Sequence, residues 1–138
     1  RAYRVDGENG PSRKTKGLKP SYNSAAEAKD ALIEYIMKKD GIEVVPERHS
    51  DMLSRYNRDV LGWRDGEIRY ATDRFGKPLP DDVQLAVIAH EYAAGDGHGR
   101  SDEQAQAGAV ELLKGFYPRG VPTAMRMWEA ARGDPNWN

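Results

Sequence analysis

The sequence predicts an α+β domain of about four helices and a small antiparallel sheet. Apolar residues at helical spacing dominate the chain, while one β-branched run and one Asp-Gly turn indicate strands. The length of 138 residues suits one domain. We expect a flexible basic leader over residues 1–21, a single globular domain over 22–132 and a frayed tail over 133–138.

The first half of the chain contains a helix, a strand and a shorter helix. Ser24 caps the first helix and Gly41 ends it. The β-branched residues 42–45 predict a short strand that ends at Pro46. A short helix over residues 50–56 follows.

The next elements are a hairpin and two long helices. Apolar alternation over residues 60–72 around Asp65-Gly66 predicts a hairpin with a two-residue turn. Helical spacing predicts helices over residues 81–94 and 101–116. Because only a short glycine-rich connection separates them, we expect these two helices to pack antiparallel.

Proline and glycine end the second of these helices. Ser101 with Gln104 forms a capping box at its start, and Pro118 and Pro122 break the chain after it. A last helix is predicted around residues 124–131.

The charge balance excludes several classes of protein. With 21 Lys and Arg against 22 Asp and Glu, the net charge is −1, so we expect no binding to nucleic acid. No apolar run approaches the ~20 residues of a membrane span.

The absence of cysteine excludes disulfides, thiolate ligands and cysteine nucleophiles. A metal site would therefore use Asp, Glu and the three histidines, which are His49, His90 and His98. Because Glu47 and Asp51 flank it, His49 is expected to lie in solvent.

The strongest candidate site lies at the end of the helix over residues 81–94. The helix is apolar nearly all round and should be buried, yet it ends in His90 and Glu91. Burying two ionisable groups costs free energy unless a metal, a charge partner or a reaction uses them. The turn brings His98 back over this end, and Asp102 and Glu103 begin the next helix.

These residues predict a zinc site. In this interpretation His90, His98 and Glu103 bind zinc, with Asp102 as the alternative acid, and the fourth position holds water. Glu91 then takes the proton of that water as the general base.

Two segments resemble gluzincin metallopeptidases of the CAAX-prenyl-peptidase-like branch. The first helix resembles their H-E-x-x-H helix in AVIAHEYAA, and the second resembles their ligand helix in DEQAQAGAVELLKGFYPRG. The resemblance covers residues 66–131. It implies a zinc-dependent peptidase in which His90 is the first ligand, Glu91 is the general base and Asp102 or Glu103 is the third ligand.

The sequence departs from this family at position 94, where the second histidine of the motif is replaced by Ala94. Three explanations follow: His98 supplies the missing ligand, a His-to-Ala change has inactivated the domain, or the domain only binds. We therefore expect a peptidase-like domain, active or inactive, that acts on a protein or peptide.

The chain begins with Arg1. We expect it to be a toxin or effector module of a larger parent chain, secreted or delivered from bacteria.

Three other functions remain open. The segment HEYAAGDGH also resembles the Fic motif of nucleotide transferases, which implies His90 as base, Tyr92 as the aromatic residue and Gly95-Asp96-Gly97 as a phosphate cradle.

The second alternative is a lysozyme-like cell-wall glycosidase with Glu91 as the acid, because a buried glutamate has a raised pKa. Asp96 or Asp102 would be its partner. The third alternative is a binding module without catalysis.

Overall fold

The computed structural model describes residues 18–95 and 99–133 and confirms the α+β class. Within these residues there are five helices: α1 (Ala25–Asp40), α2 (His49–Tyr56), α3 (Asp81–Ala94), α4 (Asp102–Phe116) and α5 (Val121–Gly133). The strands are β1 (Val44–Glu47), β2 (Gly62–Arg64), β3 (Ile68–Ala71), β4 (Asp73–Arg74) and β5 (Lys77–Pro78). No helix in the described part of the chain is long and apolar enough to cross a bilayer.

Helix α3 lies at the centre of the domain. It packs against α1, α4 and α5, and strands β2 and β3 cover another side. Ten of its 14 residues are buried, from Val83 near its start to Ala94 at its end. The sequence prediction of a buried α3 is therefore confirmed, and its last turn carries His90 and Glu91 into the interior.

The main sheet is mixed, so the expected antiparallel sheet is corrected. Its strand order is β1-β3-β2, and β3 runs parallel to β1 but antiparallel to β2. The chain passes through α2 and β2 before β3 returns alongside β1. Strands β4 and β5 form a separate antiparallel pair.

Pro46 lies inside β1, so the expectation that it ends the strand was wrong. It is paired with Tyr70 of β3. Because β1 is an edge strand, the missing amide hydrogen of the proline breaks no ladder hydrogen bond within the sheet.

The predicted hairpin is present as β2 and β3. Arg64 pairs with Ile68, which leaves a three-residue connection instead of the expected two-residue turn. Gly66 adopts a φ of 78° there, a conformation that glycine accepts without the penalty of a Cβ atom. The amide of Asp65 donates a hydrogen bond to the carbonyl oxygen of Glu67.

Helices α3 and α4 are antiparallel neighbours, as predicted. Asp102 at the start of α4 lies 3.2 Å from His90 near the end of α3. At the opposite ends, Tyr117 and Asp82 line one small pocket. The capping box of Ser101 is also present.

The boundaries of the domain differ slightly from the expectation. Leu18, inside the predicted leader, is buried in the core, so packing begins before residue 22. Pro122 lies in the first turn of α5 and does not break it, since a proline there displaces no hydrogen bond of the helix interior. Most of the leader and all but one residue of the predicted tail lie outside the described residues.

Gly62 is the point where β2 meets α3, and we predict that Gly62→Ala destabilises the domain. A Cβ atom there would lie 2.7 Å from Val87 Cγ1 and 2.9 Å from Glu91 Cγ. Overpacking of this kind costs about 1–3 kcal/mol, measurable by urea unfolding.

The matched control is Gly115→Ala in α4, where an added Cβ meets nothing within 4 Å. Because alanine favours helix over glycine, this control should be neutral or stabilising by up to about 1 kcal/mol. Equal stability of both variants would contradict the close approach at Gly62.

Candidate active site

A cleft of about 260 Å³ opens beside the last turns of α3. We call it the Glu91 cleft. Residues 59–62 form one wall, and side chains of α3, α4 and α5 form the rest. The lining residues are Asp59, Val60, Leu61, Gly62, Arg74, Val87, His90, Glu91, Asp102, Trp128 and Arg132.

Glu91 is buried at the cleft with one oxygen free. Its side chain lies against Gly62, where the absence of a Cβ leaves room for it. Within the described part of the chain, Oε1 of Glu91 has no hydrogen-bond partner. Burial, together with the negative charge of Asp102, raises the pKa of Glu91 to about 7, although the positive charge of Arg64 acts to lower it.

Arg64 of β2 binds the backbone at the end of α3. Its Nη1 donates to the carbonyl oxygens of Glu91 at 3.4 Å and Tyr92 at 2.9 Å. These carbonyls carry the partial negative charge of a helix C-terminus, so a cation is favourable there. The guanidinium is thus bound to the backbone and does not form an ion pair with the Glu91 carboxyl.

His90 belongs to a second group of side chains on the same cleft. Its Nε2 lies 3.2 Å from Asp102 Oδ1, and Asp102 Oδ2 accepts a hydrogen bond of 3.3 Å from Arg132. The His90 ring packs on the Trp128 ring, with their centroids 5.0 Å apart. The Arg132 guanidinium carbon lies over the Trp128 ring, 4.4 Å from its centroid. Burial lowers the pKa of His90, partly offset by Asp102.

The structure distinguishes between the two acids that the sequence offered as ligands. Asp102 reaches His90, whereas Glu103, the favoured ligand, is exposed and does not line the Glu91 cleft. His98 and Asp96 lie outside the described residues.

The described residues fit only part of a zinc site. His90 and Asp102 supply two donors, whereas a catalytic zinc has three protein ligands. Across residues 18–95 and 99–133, no group of three or more Asp, Glu or His side chains is arranged to hold a metal ion. We therefore derive no chemical step through a metal.

Ala94 is buried at 2% exposure and does not line the Glu91 cleft. It lies one turn after His90, on the same side of α3. Side chains on a helix tilt toward its N-terminus, so His90 extends away from Ala94 along the helix.

Tyr92, the aromatic residue of the Fic-like interpretation, faces away from the cleft. Its hydroxyl donates to Asp40 at the end of α1, and its ring packs edge-on against Tyr35 at 6.4 Å. The phosphate cradle of that interpretation includes residues 96 and 97, outside the described residues.

A third group of side chains, which the sequence did not predict, is formed by His49, Asp59 and Arg74, and the last two line the cleft. The expectation that His49 is solvated was wrong, because only 1% of its surface is exposed. Its Nε2 lies 2.7 Å from Asp59 Oδ1, and Arg74 donates to Asp59 Oδ2 at 2.8 Å. These residues are far apart in sequence and follow no local motif, so nothing in the pattern could have grouped them.

Comparison of this chain with protein-family models, curated proteins and solved structures found no match. The peptidase resemblance therefore depends on the residues of this sequence alone.

The raised pKa of Glu91 predicts a pH-dependent loss of stability. The folded state holds this proton up to about pH 7, whereas the unfolded state releases it near the ordinary value of 4.5. The contribution of Glu91 to the free energy of unfolding is therefore fully present below pH 4.5. It is lost as the pH rises to about 7, by an amount on the order of 3 kcal/mol.

Glu91→Gln removes this titration, so its stability advantage over the wild type should grow between pH 4.5 and 8. Urea unfolding at each pH measures the difference, in which contributions of the other groups largely cancel. Glu111→Gln, an exposed carboxyl on α4, is the control and should follow the wild type. A constant difference for Glu91→Gln across this range would contradict the raised pKa.

Proposed function

We propose that this domain is a peptidase-like hydrolase whose reaction takes place in the Glu91 cleft. The observation that carries the proposal is the Glu91 carboxyl: it is buried at a cleft with Oε1 unpartnered, beside the contact between His90 and Asp102. A buried polar atom without a partner costs free energy unless function requires it. The peptide substrate is supported by the resemblance of the α3 and α4 segments to metallopeptidases.

Glu91 is the group that transfers the proton. A carboxyl with a pKa of about 7 exchanges protons efficiently at neutral pH, because both of its protonation states are populated. Gly62 holds the side chain from one side, and Arg64 holds the end of α3 that carries it.

A second candidate is a glycoside hydrolase with Glu91 as the general acid. The observation that favours it is the same raised pKa, since such an enzyme needs one carboxyl that is protonated near neutral pH to protonate the leaving oxygen. The two candidates differ in substrate and share the proton-transferring residue.

We predict that Glu91→Gln abolishes hydrolysis without unfolding the protein. Loss of a general acid or base lowers kcat by roughly 10²–10⁴-fold. The assay uses a pool of quenched fluorogenic peptides and, for the second candidate, soluble peptidoglycan fragments. Since the glutamine is expected to stabilise the fold at neutral pH, unfolding would not explain the loss.

Glu111→Gln is the control and should retain the wild-type rate. Equal rates of wild type and Glu91→Gln on every substrate that is hydrolysed would overturn the proposal. Cleavage of only the glycosidic bonds of the peptidoglycan fragments, identified by mass spectrometry of the products, would favour the glycosidase candidate.

The zinc-dependent form of the proposal makes a separate prediction at position 94. If the site descends from a zinc peptidase, the imidazole of Ala94→His, one turn after His90, completes a set of three protein ligands with His90 and Asp102. Zinc affinity measured by calorimetry should rise at least tenfold over the wild type. Ala26→His, on the exposed side of α1, is the control for adventitious histidine binding.

Unchanged affinity of folded Ala94→His would contradict descent of this site from a zinc peptidase. The acid–base proposal for Glu91 would stand, because it assigns no role to position 94.

A further inference from the structure

Asp59 lies on the wall of the Glu91 cleft that faces α3. It follows α2, and its side chain is 39% exposed. Gly62, which contacts Glu91 directly, lies three positions later in the chain. Since each residue spans at most ~3.6 Å, the Cα atoms of Asp59 and Gly62 lie within about 11 Å of each other. Two carboxyl side chains, Asp59 and Glu91, therefore border one cleft.

Two buried side chains hold the Asp59 carboxylate in place. His49 Nε2 lies 2.7 Å from one oxygen, and Arg74 donates to the other at 2.8 Å. Arg74 is itself bound to the carbonyl oxygen of Ala131 at the end of α5. The carboxylate is thus attached to α2, β4 and α5 at once.

The tautomer of His49 is determined by the backbone. The amide of Phe75 donates a hydrogen bond of 3.3 Å to Nδ1 of His49. A neutral imidazole that accepts at Nδ1 carries its proton at Nε2, so His49 donates to Asp59. Asp59 therefore receives hydrogen bonds from two donors, which favour its ionised form.

The charge state of Asp59 follows from these contacts. Burial acts to raise the pKa of Asp59, but the hydrogen bonds from Arg74 and His49 outweigh it and hold the pKa below its ordinary value. Across the cleft, Oε1 of Glu91 has no hydrogen-bond partner in the described part of the chain. A carboxylate held by two donors suits a general base, whereas a buried carboxyl oxygen without a donor suits a general acid.

We propose that Asp59 is the general base of the Glu91 cleft, acting on a water molecule while Glu91 acts as the general acid. This inference rests on the proposed function. Asp59 accepts a proton from water as the water oxygen bonds to the carbon of the scissile bond. That carbon's bond to the leaving nitrogen or oxygen breaks, and Glu91 donates its proton to the leaving atom. Exchange with solvent then returns Asp59 to the carboxylate and Glu91 to the acid.

His49 and Arg74 are positioning residues in this scheme. Their bonds also tie α2 and β4 to α5, so a structural role alone would explain a loss of stability in their variants. A structural role alone would not move the pH dependence of the reaction. Arg74→Lys retains the positive charge but not the two-pronged geometry of the guanidinium, so it weakens support for the ionised Asp59. The acid limb of the kcat/KM profile should therefore shift to higher pH.

The test compares Asp59→Asn with wild type on the peptide pool and the peptidoglycan fragments. Asp51→Asn is the matched control, because Asp51 also pairs with an arginine, Arg48 at 3.0 Å, but lies outside the cleft. We expect Asp59→Asn to lower kcat roughly 10²–10⁴-fold and the control to stay within twofold. Circular dichroism verifies the fold of each variant.

The outcomes separate this inference from the proposed function. A folded Asp59→Asn within threefold of wild type, with Glu91→Gln inactive, overturns the role of Asp59 alone. Wild-type activity in Glu91→Gln, or no hydrolysis of either probe by the wild type, overturns the proposed function and this inference with it. If Asp59→Asn does not fold, the Arg74→Lys profile decides: a shifted acid limb supports the role of Asp59, and an unshifted limb overturns it.

Discussion

The central constraint on this domain is the burial of a helix that ends in ionisable residues. Nearly every side of α3 is covered, so α1, α4, α5 and the sheet all depend on it for their packing. Burial of its apolar residues favours folding, but the same burial removes His90 and Glu91 from water at a cost. The surrounding side chains reduce that cost more for His90 than for Glu91.

Nε2 of His90 has a charged neighbour, whereas Nδ1 of His90 and Oε1 of Glu91 have no hydrogen-bond partner in the described part of the chain. Asp102 contacts the imidazole, and Trp128 packs against its ring. For Glu91, the nearby cation Arg64 is bound to backbone carbonyls at the end of α3. Desolvation therefore dominates at Glu91 and favours the uncharged carboxyl, the state that supports the proton transfer proposed for the cleft.

On the wall opposite α3, the surroundings of Asp59 favour the charged carboxylate instead of the uncharged acid. Asp59 is held by His49 and Arg74, both almost fully buried, while the carboxylate itself faces the cleft. Because the three residues come from different parts of the chain, their arrangement exists only when α2, β4 and α5 are packed together. The cleft thus contains one carboxylate that two donors hold and one desolvated acid, and both are consequences of tertiary packing.

Zinc-peptidase chemistry and metal-independent chemistry make different demands on this geometry. The first needs a third donor near His90 and Asp102, at a place where Ala94 is buried and the predicted His98 lies outside the described residues. The second needs only the carboxyls that the cleft already contains. In addition, Asp102 already has a positive partner without a metal ion, because the Arg132 guanidinium lies beside it.

The sequence by itself determined the local elements and the candidate residue pair. The N-cap at Ser24, the capping box at Ser101 and the all-round apolar pattern of α3 are local signals, so the helices and the burial of His90 and Glu91 were predictable. Tertiary structure decided what local signals do not encode. Pro46 could be placed inside a strand only once β1 was known to be an edge, and the parallel pairing of β1 with β3 is a long-range choice.

In the candidate site too, local signals predicted some residues, and long-range packing decided the others. The choice of Asp102 over Glu103 depends on how α4 is rotated against α3, a packing detail that adjacent acids in a sequence do not reveal. Asp59 lies 10 residues from His49 and 15 residues from Arg74 in the sequence, and charged neighbours in sequence made His49 look exposed. Periodicity reports which side of an element is buried, whereas only the folded chain determines which polar side chains meet there.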